Sequence, residues 1–124
     1  MPILYAHDAP DFELSVSARI TGLAAPSRGS AELTTYRVRL EPGSAVPAHR
    51  HDHEEVFILV SGAAMVVLDD AEHLIGPGDT VIVPAGTEHY SYSQTDHADI
   101  IAAVPAGTSF ITPDGEDRLP DWGR

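Results

Sequence analysis

His49, His51 and Glu55 are the residues of this sequence whose types and spacing could do chemistry together. All three have one parity, so on an extended strand their side chains project to the same face. Imidazole and carboxylate suit Mn, Fe, Co, Ni or Zn. A carboxylate beside two imidazoles favours a six-coordinate ion with open positions over a closed tetrahedral site. A fourth ligand then has to come from another strand. The rest of the inventory narrows the chemistry further. There is no Cys, which removes disulfides, thiolate ligands, iron–sulfur clusters and cysteine nucleophiles. All seven basic residues are Arg, which removes Schiff-base and general-base lysines.

Elements must exist to carry these residues, and the punctuation of the chain says of what kind. Ten Pro and ten Gly are spread over 124 residues and cut the chain into short pieces, a pattern of many strands joined by turns. Phe12, Leu14, Val16, Ala18 and Ile20 alternate with polar residues and predict one half-buried strand. Gly22 to Ser30 reads as a loop. Tyr36, Val38 and Leu40 alternate with Arg37, Arg39 and Glu41, which predicts a second strand. Further β-rich runs lie at 56–60, 65–68, 81–83 and 99–104, bounded by Gly, Pro and Asp turns, with a hairpin turn expected over Asp69 to Glu72. Regular short strands predict an all-β sandwich or barrel in one domain. Its parts are an N-terminal strand and loop (1–30), a barrel (31–112) and a C-terminal tail (113–124). The tail carries Trp122 and has no periodicity, and its packing is left open.

The spacing of the candidate ligands resembles a known family. Gly43, five residues, His49-Arg50-His51, three residues, Glu55, six residues and Gly62 match the first cupin motif at every fixed position. Gly78, five residues, Pro84-Ala85-Gly86, two residues and His89 match the second, whose final Asn is Ser93 here. The resemblance implies a jelly roll, a double-stranded antiparallel β-barrel. It also implies one divalent transition metal (Fe, Mn, Ni, Co or Zn) held by His49, His51, Glu55 and His89. Asn at the last motif position is a structural contact, so Ser93 is expected to weaken a hydrogen bond there and not the metal site. Cupins are commonly homodimers, and the strand over Phe12 to Ile20 is the kind of edge that pairs across such an interface.

Four protein ligands on a six-coordinate ion leave two positions for a small molecule. The resemblance implies a metal-dependent enzyme, a dioxygenase ahead of a non-redox isomerase, cyclase or lyase. A metal-dependent module that binds a small molecule without turnover is the alternative from another class. Around the metal, Tyr36, Phe57 and Ser91 are expected to face inward. A buried phenol needs a hydrogen-bond partner, which makes Tyr36 a candidate to touch a ligand. His53 shares the ligands' parity and reads as a rim residue, with a fifth imidazole or a proton shuttle as its other roles. His7, His73 and His97 read as solvated. Arg37, Arg39 and Arg50 fall on outward faces.

A formal charge of −12 repels phosphate backbones and anionic lipid, so neither nucleic acid nor a membrane surface is an expected partner. The segment from Met1 to Phe12 has no basic cluster and no apolar run. It does not resemble a signal peptide, and a cytoplasmic location is expected.

Overall fold

The computed structural model describes residues 2–124. Twelve strands alternate with short turns: β1 (Asp11–Ser15), β2 (Ala18–Gly22), β3 (Leu33–Leu40), β4 (Ala45–His51), β5 (Glu55–Gly62), β6 (Ala64–Leu68), β7 (Ala71–Ile75), β8 (Thr80–Val83), β9 (His89–Tyr92), β10 (Ala98–Pro105), β11 (Phe110–Ile111) and β12 (Asp117–Arg118). The helical residues among those described form three single 3₁₀ turns, Ala6–Asp8, Pro26–Arg28 and Asp121–Gly123. None of these is long and apolar enough to cross a membrane.

The strands form two six-stranded sheets, ordered β1-β2-β3-β10-β5-β8 and β12-β11-β4-β9-β6-β7, with antiparallel pairing throughout. They face each other as a jelly roll and do not close into one hydrogen-bonded cylinder. Ile20, Leu40, Leu59, Val66 and Val83 are the largest fully buried side chains and fill the space between the sheets. Burying each contributes roughly 2 kcal/mol.

Three expectations about strands need correction. The run from Phe12 to Ile20 is a hairpin and not one strand. Phe12 pairs with Ile20 and Ser15 with Ala18, and Val16, 90% exposed, turns the corner with Ser17 at φ 62°. A two-residue loop preserves alternation, so period alone does not reveal it. At the other hairpin the turn is only Asp69-Asp70, at φ 50° and 64°, as a type I′ turn requires. His73 therefore sits within β7, an exposed edge strand with no apolar alternation to announce it. Finally, His49, His51 and Glu55 do not share a strand. β4 ends at His51 and Glu55 opens β5 in the opposite sheet.

Ser93 makes a hydrogen bond of its own at the last motif position. Its hydroxyl donates to Glu41 O at 2.6 Å and its N–H to Ser44 O at 2.9 Å, which ties the end of β9 to the turn before β4.

Candidate metal centre

Two local backbone devices bring the four motif residues together. β4 carries an irregularity between Val46 and His49, at Pro47-Ala48, so both Val46 and His49 point inward although three residues apart. Pro47 has no N–H to give to the ladder, which is why the register slips there. His49 then lies directly opposite His89 on β9. The turn over 52–54 carries the chain to Glu55 across the gap between the sheets. One ligand-type atom from each of His49, His51, Glu55 and His89 lies within 4.8 Å of all the others. All four residues are 4–6% exposed.

The imidazoles are oriented in one way. Nδ1 of His49 donates to Pro47 O at 2.7 Å, Nδ1 of His51 to Ser109 O at 3.0 Å, and Nδ1 of His89 to Thr87 O at 2.9 Å. A carbonyl can only accept, so the proton of each neutral ring sits on Nδ1 and the lone pair on Nε2. Nε2 of His51 and of His89 lies 3.4 Å and 3.3 Å from the Glu55 carboxylate without hydrogen-bond geometry, and both are buried without a partner. Buried polar atoms of native proteins are rarely left so. Three imidazole lone pairs and a carboxylate converging on one point are the donor set of a single divalent transition metal, and the residues present fit one.

Titration follows from the same packing. Burial, with His89 and His51 alongside, pulls His49 down to about 3, so this ring is neutral at any physiological pH. Burial also opposes charge on His51, but the adjacent Glu55 carboxylate and the Ser109 carbonyl outweigh it and raise its pKa. For Glu55, burial works against ionisation and the contacts with His51 and His89 prevail, holding the carboxyl well below its usual range. Tyr36 donates its hydroxyl to Glu55 Oε2. Burial, and then the charge of Glu55, push the phenol well above its usual pKa, so it remains a donor.

Tyr36, Phe57 and Ser91 line the cavity beside the four residues. His53 does not. Its side chain is half exposed and its Nδ1 is engaged by Asp52 Oδ1 at 2.9 Å, outside the cluster. The 52–54 turn breaks the parity that had placed it among the ligands. His53→Ala is expected to leave metal content unchanged by elemental analysis, and loss of metal would make it a ligand after all. Arg37 points outward and pairs with Asp99, Nε to Oδ1 at 2.7 Å.

Two aromatic residues that sequence reasoning missed complete the wall. Phe110 on β11 stacks on His49 with ring centroids 4.2 Å apart and planes 12° from parallel. Trp122, in the tail, lies 6.0 Å from Tyr36 and 6.3 Å from Phe110. The available signal was composition: a sole tryptophan in an otherwise Pro-, Gly- and Asp-rich segment has to bury its ring somewhere.

A jelly roll with a three-histidine, one-glutamate cluster between its sheets defines a class, that of metal-binding β-barrels with an N/O donor set. The family profile described as "Cupin domain" matches residues 36–102, more than half of the chain, and the chain belongs to that family. Over 86 residues the chain is 27% identical to auxin-binding protein T85 of Nicotiana tabacum, covering 61% of this chain and 46% of that protein. It spans about half the length of the curated relatives it matches. Among solved structures, the polyketide cyclase RemF from Streptomyces resistomycificus superposes with a TM-score of 0.77 at 17% identity, covering 87% of this chain and 81% of that one. KdgF from Halomonas sp. does so with a TM-score of 0.73 at 18% identity, covering 84% and 94%.

Proposed function

We propose that the chain is a mononuclear metalloenzyme that turns over a small organic molecule, by dioxygenase-type chemistry in the first reading. His49, His51, Glu55 and His89 would hold the ion. Bound there, Fe, Mn or Ni would supply Lewis acidity and redox exchange with dioxygen at positions the protein leaves free. The observation that carries this reading is the buried four-residue donor set, of which His49, Glu55 and His89 open onto a cavity lined otherwise by Tyr36, Ser91 and apolar side chains. Leu14, Val46, Phe57 and Ile100 give that cavity an apolar wall, and an apolar surrounding strengthens electrostatic interactions within it. The Tyr36 hydroxyl donates to the Glu55 carboxylate and fixes it.

A second reading, a non-redox isomerase, cyclase or lyase, is favoured by Tyr36 itself. Its hydroxyl has Glu55 as hydrogen-bond partner and lines the cavity, so it can hold or pass a proton beside a bound enol. The polyketide cyclase of similar fold is consistent with this reading.

The protein is taken to work in the cytoplasm as a homodimer. β1 is a free edge of its sheet, and Ile58, Val60 and Ile82 lie exposed on the outer face of β5 and β8.

The experiment is elemental analysis of untagged protein, followed by dioxygen uptake after loading with Fe, Mn or Ni against a panel of enolic and catecholic compounds. Near-stoichiometric metal with uptake on any compound is expected. Metal with product but no uptake would move the assignment to the second reading, and protein that takes up no metal would overturn both.

A further inference from the structure

The cavity beside the four candidate ligands has a volume of about 40 Å³. An engineered apolar cavity that accepts benzene is about 150 Å³, so no ring enters this one as it stands. Trp122 is one of its walls. The indole borders this cavity and also a second void of about 10 Å³, lined by Thr34, His51 and Thr108, and Tyr36 faces both. The Thr34 hydroxyl there is buried without a hydrogen-bond partner. Trp122 and Tyr36 together thus stand between two voids that both reach the metal cluster, and of the two only Trp122 sits outside the paired strands.

That side chain sits on a lightly held segment. β12 pairs with β11 through two residue pairs, and the end of the chain is fastened by the N–H and hydroxyl of Ser27, both donating to Arg124 O. Between these anchors the segment is held by side-chain packing, that of Trp122 on Phe12, Tyr36 and Phe110 together with half-buried Leu119 and Pro120 and buried Gly123. With so few backbone bonds to the barrel, this segment is a unit that opens more readily than the paired strands of the sheets.

The chemistry of the lining selects what could replace that packing. Apart from the candidate ligands, Tyr36 and Ser91, every lining residue is apolar, and none is Lys or Arg. With the ligand's paired oxygens on the ion, a carboxylate or phosphate elsewhere on it would be buried away from the metal with no Lys or Arg to meet it.

We propose that Trp122 is the specificity-determining wall of this site. The segment 113–124 swings aside to admit a flat aromatic ligand that carries adjacent oxygens and no other charge, and the indole then packs against its ring. This rests on the reading of the four residues as a metal centre, which supplies the partner for the paired oxygens.

The test reads binding and not turnover. Protein is loaded with zinc, which is redox-inert, and titrated calorimetrically with catechol and with protocatechuate, the same diol bearing one carboxylate. Emission of Trp122, the sole tryptophan of the chain, is followed in parallel. Catechol is expected to bind with a saturable change in that emission, and protocatechuate at least about tenfold more weakly. That difference should persist in high salt, where repulsion by the protein's surface charge is screened. W122A is expected to weaken catechol by about tenfold or more with zinc content unchanged, and W122F to retain most of the affinity. Equal affinity for the two diols, no emission change, or binding unchanged or tighter in both variants would overturn the proposal alone. Protein that holds no zinc would overturn the metal-centre reading and this proposal with it.

Discussion

Alanine at His49, His51, Glu55 or His89 is expected to strip the metal and, with it, the stabilisation that metal confers on the fold. Each removes one of four donors that converge within 4.8 Å, and the other three cannot close the gap from their rigid strands. Metal at a hundred times its dissociation constant stabilises the native state by about 2.7 kcal/mol. For a domain of this size that is a rise in Tm of about 10 °C. Wild-type protein should show that rise on loading and each alanine variant should not. A rise retained in all four variants would remove the assignment. The pH dependence follows from His51. Its pKa is raised, so the metal competes with a proton there, and affinity should fall as pH drops through that raised value by about tenfold per unit. His49, neutral down to about 3, adds no such competition near neutrality. A fall with the opposite sign, or none between pH 8 and 5, would show that another group controls loading.

The parts of the site legible in the sequence are those whose spacing is set by backbone geometry. His49 and His51 share a face because they are two apart on β4, and Glu55 joins them because a three-residue turn returns the chain at once to the facing sheet. Phe57 and Ser91 follow the same parity from their neighbours Glu55 and His89. What alternation does not encode is where the parity resets. The slip at Pro47-Ala48, the hairpin at Val16-Ser17 and the turn that carries His53 outward are local backbone events, each one or a few residues long. Phe110 and Trp122 escape for a different reason. They sit on a two-residue strand and a single 3₁₀ turn, too short for any period to register, and are placed by long-range packing. The cavity wall is thus a tertiary fact, whereas the donor set is largely a local one.

Two glycines of the matched motifs should separate these local and tertiary contributions. Gly62 and Gly86 have nearly the same backbone, φ +83° and +79°, and a side chain at either costs about 1–2 kcal/mol for the left-handed conformation alone. Their surroundings differ. A Cβ on Gly86 would meet nothing within 4 Å, whereas one on Gly62 would lie 1.8 Å from the carbonyl oxygen of His97 and 2.7 Å from its carbon. That carbonyl is not free to retreat, because it accepts the N–H of Ala63 at 3.0 Å beside the β5–β10 ladder, whose register slips between Asp99 and Ile100. Relief requires β5 and β10 to part, and β5 is the strand that carries Glu55 and Phe57. Gly62→Ala is therefore expected to destabilise the fold by about 4 kcal/mol or more, a large share of the 5–15 kcal/mol available to a domain. Gly86→Ala should cost no more than about 2 kcal/mol. Urea unfolding of the two variants, with m unchanged from wild type, reads the difference directly. Equal midpoints would mean that only the left-handed backbone matters at these motif glycines. A much lower midpoint for Gly62→Ala, with metal still bound by whatever fraction folds, would place the role of Gly62 in strand packing and not in the metal site.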